Sequence, residues 1–254
     1  MIDWSKIQPR YERKAYRIVQ NHIKTILNKI PVSNVSVYSY EALITLNITE
    51  EDIYKMFVDI YKTIGLDYGN KINKDLEKVT KLNPLFNTQL LKEILLFLSG
   101  EGGVKITSVK KALIEAIIKS IKDSIGKNAT VIEIQNAIQE IITKSQTFYK
   151  WQALRIARTE TTSASNFAAI KTAQQSNLVL MKQWIAVMDQ RTRPDHYVEN
   201  GELAELNEPF IMYSGALLQY PGDVSARANE VINCRCTMAF IPKRDAEGNL
   251  ILKT

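Results

Sequence analysis

The chain has 254 residues, 45% of them hydrophobic and 24% charged, which is enough to bury one large core or two modest ones. Its net charge of +6 is uneven, with 22 Lys and Arg against 16 Asp and Glu in residues 1–150 and 11 against 11 in residues 151–254. Two cysteines in a Cys-x-Cys pair are poorly placed to bridge each other and too few for a secreted disulfide framework, and no run nears the ~18 apolar residues of a membrane span.

Met1-Ile2-Asp3-Trp4 leads straight into charges, so no signal peptide is predicted and a reducing cytoplasm is the expected place of synthesis. Residues 3–30 carry Ile7, Tyr11, Ile18, Ile23, Ile26, Leu27 and Ile30 at helical spacing, a pattern interrupted near Pro9 and ended before Pro31. Ser33 to Tyr40 reads as extended chain or loop. Thr49-Glu50-Glu51-Asp52 resembles a capping box and opens a helix that should end near Gly65. A further helix is expected over Asp67–Leu82, stopped by Asn83-Pro84, and an apolar one over Leu85–Leu98. Gly100-Glu101-Gly102-Gly103 follows, the best hinge candidate, because three glycines in four positions free the backbone. Ser108–Ile125 and Thr130–Thr143 form an expected helical hairpin, the second helix opened by Thr130 and Glu133. The excess of lysine on these helices fits solvated faces, or contact with nucleic acid or an acidic protein surface, although no cluster interleaves basic and aromatic residues densely.

Ser145 to about Asn177 reads as one long helix rich in Ala, Thr and Ser. Arg158, Thr162 and Asn166 stand four apart on one face, and Ala157, Ala164 and Ala168 keep the surface shallow enough for close packing. Beyond it, short strands are expected at Trp184–Met188, Phe210–Tyr213, Ala216–Tyr220 and Val231–Ile241, with Ser214-Gly215 turning the middle pair. The predicted fold is α+β: a mostly helical region, residues 1–144, then a smaller α+β domain, residues 145–254, in which the long helix packs on a short antiparallel sheet.

Most of the chemistry-bearing residues fall between Trp184 and Phe240. Asp189 starts a turn through Arg191, Arg193 and Pro194, and Asp189 is expected to hold the two arginines in bidentate pairs. On a strand, Cys234 and Cys236 would share one apolar face, with Asn233 and Arg235 on the other. His196, Cys234 and Cys236 are zinc-type ligands; three is one short, and Asp189, Asp195 or a water would complete the sphere. The alternative is a pair of small buried thiols beside a hydrogen-bonded histidine. Arg158, Glu160 and Asn166 read as a structural network tying the long helix to the strands after Trp184; Glu160 as a catalytic base lacks a nucleophile or second carboxylate nearby in sequence.

The ordered set Arg158-Thr159-Glu160, Asn166, Trp184-x(4)-Asp189-x-Arg191-Thr192-Arg193-x-x-His196, Phe210, Tyr220-Pro221-Gly222-Asp223 and Ile232-Asn233-Cys234-Arg235-Cys236 resembles the phage Mu F-like minor head proteins, also called phage head morphogenesis proteins, over roughly Ser145 to Pro242. The resemblance implies a low-copy, non-enzymatic virion protein of a tailed phage, assembled in the bacterial host cytoplasm. Portal or major capsid protein would be its partner, and the basic N-terminal region could also meet packaged DNA. Two other classes stand beside it. A metal-dependent nuclease would need more histidine or asparagine ligands than the distant His22 offers. An ADP-ribosyltransferase-like effector would need a catalytic domain for which the stretch after Cys236 leaves no room.

Overall fold

The computed structural model describes residues 2–77 and 86–253. Small side chains set its centre. Helix α9 (Lys150–Gln175) is buried on nearly every side from Thr159 to Ala173, because Ala157, Ala164, Ala168, Ala169 and Ala173 let neighbours approach its backbone from all directions. It begins later than the sequence suggests: Tyr149 (φ −106°, ψ 19°) breaks the expected helix and leaves a separate turn, α8 (Ser145–Phe148).

Around α9 lie the N-terminal helices. Helix α1 (Trp4–Leu27) turns Tyr11, Ala15, Val19, Ile23, Ile26 and Leu27 inward at intervals of three and four. The expected interruption at Pro9 does not occur, since in the second turn the missing N–H forfeits a single bond to Ser5. The Trp4 indole N–H donates to the Arg235 carbonyl at 2.7 Å, pinning the start of α1 to the far end of the sequence. After a short turn at Val32–Asn34, α2 (Tyr40–Asn47) occupies residues left unassigned by pattern. Helix α3 (Glu50–Ile60) opens with the expected box: Thr49 Oγ1 accepts from the Asp52 N–H, and Asp52 accepts from the Thr49 N–H at 3.2 Å.

Gly65 does not end that helix. The chain continues through a wider π-turn (Tyr61–Gly65) into α4 (Leu66–Glu77). Gly65 and Gly69 face α9 and α5 (Phe86–Ser99) instead: a Cβ at Gly65 would stand 3.2 Å from the Ala164 carbonyl, and one at Gly69 would stand 2.4 Å from Leu90 Cδ2. Missing side chains here are used for helix approach rather than for a turn. The expected continuation to Leu82, its stop at Asn83-Pro84, and Leu85 lie outside the described residues.

The glycine-rich hinge candidate is a tight corner, with the Gly102 N–H donating to Phe97 at 2.9 Å, and α6 (Gly103–Ser124) starts directly after it. Helix α7 (Val131–Thr143) carries the expected Thr130–Glu133 capping box.

Past α9 the chain forms β1 (Leu180–Ile185), α10 (Pro194–Val198), β2 (Leu203–Glu205), β3 (Phe210–Ile211), β4 (Leu217–Leu218), α11 (Ala228–Val231) and β5 (Thr237–Pro242). The sheet order is β2-β1-β5, all antiparallel, with Trp184 opposite Met238; β3 and β4 form a separate hairpin turned at Gly215 (φ +78°). Two strand expectations are corrected. The first strand starts at Leu180 and ends at Ile185, short of Met188. Val231–Ile241 is not one strand, because Asn233 takes a left-handed conformation (φ +58°) and pairing starts only at Thr237. The fold is α+β, and its apolar core runs unbroken from Trp4 to Met238.

Candidate metal centre

Two short helices deliver the site. Asp189 builds the turn that precedes the first: its carboxylate accepts from the Arg191 N–H at 2.9 Å and its carbonyl from the Thr192 N–H at 3.0 Å. Pro194, pre-set for a helix start, opens α10, whose inward side carries His196. From the other direction α11 presents Glu230. Asn233 then reverses the chain with its N–H on Thr159 Oγ1 at 3.1 Å, and Cys234 and Cys236 follow, both buried.

The cysteine segment is held from below by α9. Thr162 Oγ1 donates to the Cys234 carbonyl at 2.5 Å, and the Asn166 amide donates to the carbonyls of Cys236 (3.0 Å) and Pro221 (3.1 Å). Asn166 Oδ1 accepts from Thr237 at 3.0 Å. Gly222 (φ +86°) brings its backbone against the same helix, where the Ser163 hydroxyl donates to its carbonyl at 2.8 Å. The Asp223 carboxylate closes that turn by accepting from the N–H groups of Gln219 and Ser225.

His196 Nδ1 lies 3.6 Å from Cys234 Sγ and 3.4 Å from Cys236 Sγ, and the three donor atoms are within 4.8 Å of one another. Zinc bonds of about 2.3 Å to sulfur and 2.0–2.1 Å to nitrogen at a tetrahedral angle require an N···S separation of about 3.5 Å. The other ring nitrogen, Nε2, is 3.1 Å from Glu230 Oε2, an arrangement that orients a metal-ligating histidine and fixes its tautomer. Trp184, fully buried, packs edge-on to the imidazole at 5.3 Å.

The surroundings favour negative sulfur. Hydrogen bonding from Cys236, which outweighs burial, and the nearby His196 hold the Cys234 thiol well below its ordinary pKa; the Cys236 N–H adds to this. Cys236 is driven well above its ordinary value by its hydrogen bond to Cys234 and by burial, although the Trp184 indole N–H and the Val187 N–H both favour its ionised form. Among the described residues the indole N–H itself is buried without a hydrogen-bond partner. Burial disfavours a charged His196, but the Cys234 thiolate and Glu230 outweigh it, so its pKa rises. The two shifts are opposite faces of one contact: negative charge settles on Cys234, which disfavours a second charge on Cys236.

Asp189 does not stand with the three donors. Arg235 takes its carboxylate through two bonds of 2.7 and 2.6 Å, which hold its pKa well below the usual carboxylate range, and it lies outside the His-Cys-Cys group. The bidentate partner of Asp189 is therefore Arg235, not the expected Arg193, whose guanidinium donates to the Ile232 carbonyl; Arg191 reaches Asp189 only at 3.4 Å. Arg158 is half-exposed and lies 3.7 Å from Glu12. Glu160, buried, meets Lys105 and Tyr61 rather than the strands after Trp184. The Lys105 ammonium continues to Ser163 Oγ at 2.7 Å. Glu230 and Lys105 were given no role from sequence, and Arg235 appeared there only as part of the cysteine motif, without its partner Asp189. Only Glu230 had a readable signal, a lone carboxylate four residues before the first cysteine.

A family model described as phage Mu protein F like protein matches residues 109–239, 131 of the 254. The NAD(+)-arginine ADP-ribosyltransferase EFV of Enterococcus faecalis is 29% identical over 136 residues, which is 52% of this chain and 27% of that protein. The chain thus spans about a quarter of the length of this curated relative. No solved structure matches the chain.

Proposed function

The chain belongs to the phage Mu protein F like family, and on that premise we propose that it is a low-copy minor head protein of a tailed phage, acting in head morphogenesis and in packaging or delivery of DNA. The observation that carries the reading is the family match over the α6-to-β5 half, joined to a site whose polar groups are spent on holding segments together. Portal or major capsid protein is the partner, met in the host cytoplasm during assembly and retained in the virion. The exposed face of α1, with Arg10, Arg13, Lys14, Arg17 and Lys24, supports a non-specific contact with DNA phosphates. We assign the 1–144 region to these contacts and 145–254 to the family's module, although the family match itself reaches back to residue 109 in α6. His196, Cys234 and Cys236 hold zinc in this reading, which secures the loop between α11 and β5.

The chain itself is not an enzyme in this proposal. Glu160, the carboxylate with the most catalytic look in sequence, is buried against Lys105 and Tyr61. His22, which a nuclease would need near His196, instead lies 2.7 Å from Asp59 on α3. The transferase name belongs to the Enterococcus faecalis protein, most of whose length has no counterpart here, and we read the shared stretch as a head-protein module. Co-expression of the full chain with the portal and capsid proteins of its phage, followed by purification and imaging, tests the proposal. Stable association with either is expected; free chain that hydrolyses NAD or DNA, with activity lost on Glu160→Gln or His196→Ala, would overturn it.

A further inference from the structure

Three donors converge, and the fourth side of the group is open. Among the described residues no other His, Cys, Asp or Glu joins it. Glu230 is on the far side of the imidazole, bonded to Nε2, so the ring stands between its carboxylate and an ion on Nδ1. Asp189 is occupied by Arg235. What borders the group instead is a crevice of about 10 Å³, lined by the three ligands together with Val187, Arg191, Thr192, Arg193, Asn233 and Arg235. That is about the room one water molecule needs.

From this geometry we infer that zinc bound by His196, Cys234 and Cys236 keeps an exchangeable fourth position that takes a water-sized or slender anionic ligand from outside the chain. The inference rests on the zinc reading above. Its chemistry follows from charge. Zinc with two thiolates and a neutral imidazole is neutral, and the crevice adds the guanidiniums of Arg191 and Arg193, of which Arg191 is exposed. An anion approaching the open position therefore meets net positive neighbours and a Lewis acid. Zinc sites that only brace a fold close their sphere with four protein ligands, whereas three protein ligands with an open position leave the ion reactive toward incoming donors. The crevice's size admits a single donor atom or a ligand bound end-on and excludes a bulky one.

Cobalt(II) in place of zinc reads this directly, since its visible bands report both the sulfur ligands and any change in the fourth. Full-length protein is loaded with cobalt and titrated with sodium azide. We expect one equivalent of cobalt with the intense bands of a tetrahedral two-sulfur site, and a saturable shift of those bands as azide enters. Arg191→Gln, a change on an exposed side chain, should retain cobalt uptake yet weaken azide several-fold. Cobalt bands that ignore azide at all concentrations would sink the open position while leaving the metal site standing. Failure to take up cobalt or zinc at all would sink both, and far-ultraviolet circular dichroism of the same sample shows that the chain is folded when either result is read.

Discussion

The Asn166 amide sits 3.0 Å from the carbonyl of Cys236 and 3.1 Å from that of Pro221, joining the cysteine segment and the Pro-Gly turn through one side chain on the central helix. Its oxygen meanwhile accepts from Thr237, so both ends of the amide are committed. Asn166→Ala should cost on the order of 3 kcal/mol, since it removes several buried bonds and leaves carbonyls unpaired. Asn166→Asp should cost more, because a carboxylate faces those carbonyls with no proton to donate. Denaturant unfolding of both variants checks the order, and an aspartate as stable as the wild type would refute the network.

Zinc should copurify at close to one equivalent, and Cys234→Ser should release it and lower the melting temperature, because metal held only by the folded state adds its binding free energy to stability. Were the thiols merely packed in the core, the same change would cost about 1–3 kcal/mol through an ill-matched hydroxyl and chelators would do nothing. Elemental analysis after purification without added metal separates the cases; less than a tenth of an equivalent excludes zinc.

Glu230→Gln should weaken zinc about 10- to 100-fold, the usual cost of losing a carboxylate that orients a metal-bound histidine. Competition with a chromophoric chelator measures it. An unchanged affinity would mean that Glu230 merely fills space beside His196.

Two glycines with the same backbone sign should behave differently. Gly222 and Gly215 both lie at positive φ, but a Cβ at Gly222 would stand 2.8 Å from Ser163 Oγ and 3.0 Å from its Cα, while one at Gly215 meets nothing within 4 Å. Gly215→Ala should therefore cost about 1 kcal/mol for the left-handed conformation alone. Gly222→Ala adds a backbone clash and should cost on the order of 3 kcal/mol. Equal losses would remove the argument for close approach to α9.

Lys182 carries a pH prediction. Its ammonium is buried over the Phe210 ring and donates to the Gln219 carbonyl at 2.8 Å; burial, only partly countered by Asp223 and Glu208, lowers its pKa to about 8. The folded state sheds the proton before the unfolded state does, so between pH 8 and about 10.4 the unfolded chain binds more protons and stability rises with pH. The penalty is fully present below pH 8. Relative to Lys182→Met, which is blind to this titration, wild-type stability should gain up to about 3 kcal/mol across that window. A constant difference between the two proteins would show that the ammonium is solvated.

What could be read in advance followed local chemistry. Thr49 and Thr130 announced their helices because a capping box is written within four residues, and the small-residue surface of Arg158-to-Ala168 announced a helix that others pack against. His196, Cys234 and Cys236 were grouped on ligand type, and they converge in the fold. The route was misread: alternation suggested a strand through both cysteines, yet Asn233 is left-handed because Thr159, 74 positions away, captures its N–H. Gly65 looked like a helix end because its purpose, room for the Ala164 carbonyl, belongs to a segment a hundred residues on. Arg235 outcompeted Arg193 for Asp189 for the same reason: tertiary neighbours decide which of several equivalent guanidiniums arrives.

Trp4 bonded to the carbonyl of Arg235 has a bearing on how the chain is made. A ribosome adding about 5–20 residues per second needs on the order of 10–50 s to cover the 231 positions between them. For the part of that time before Gln175 is added, on the order of 10–30 s, the stripe of Ala15, Val19 and Ile23 on α1 lacks α9, its main neighbour. Over that interval the apolar stripe is the surface a chaperone would shield, and the lysine- and arginine-rich outer face of α1 favours dispersal.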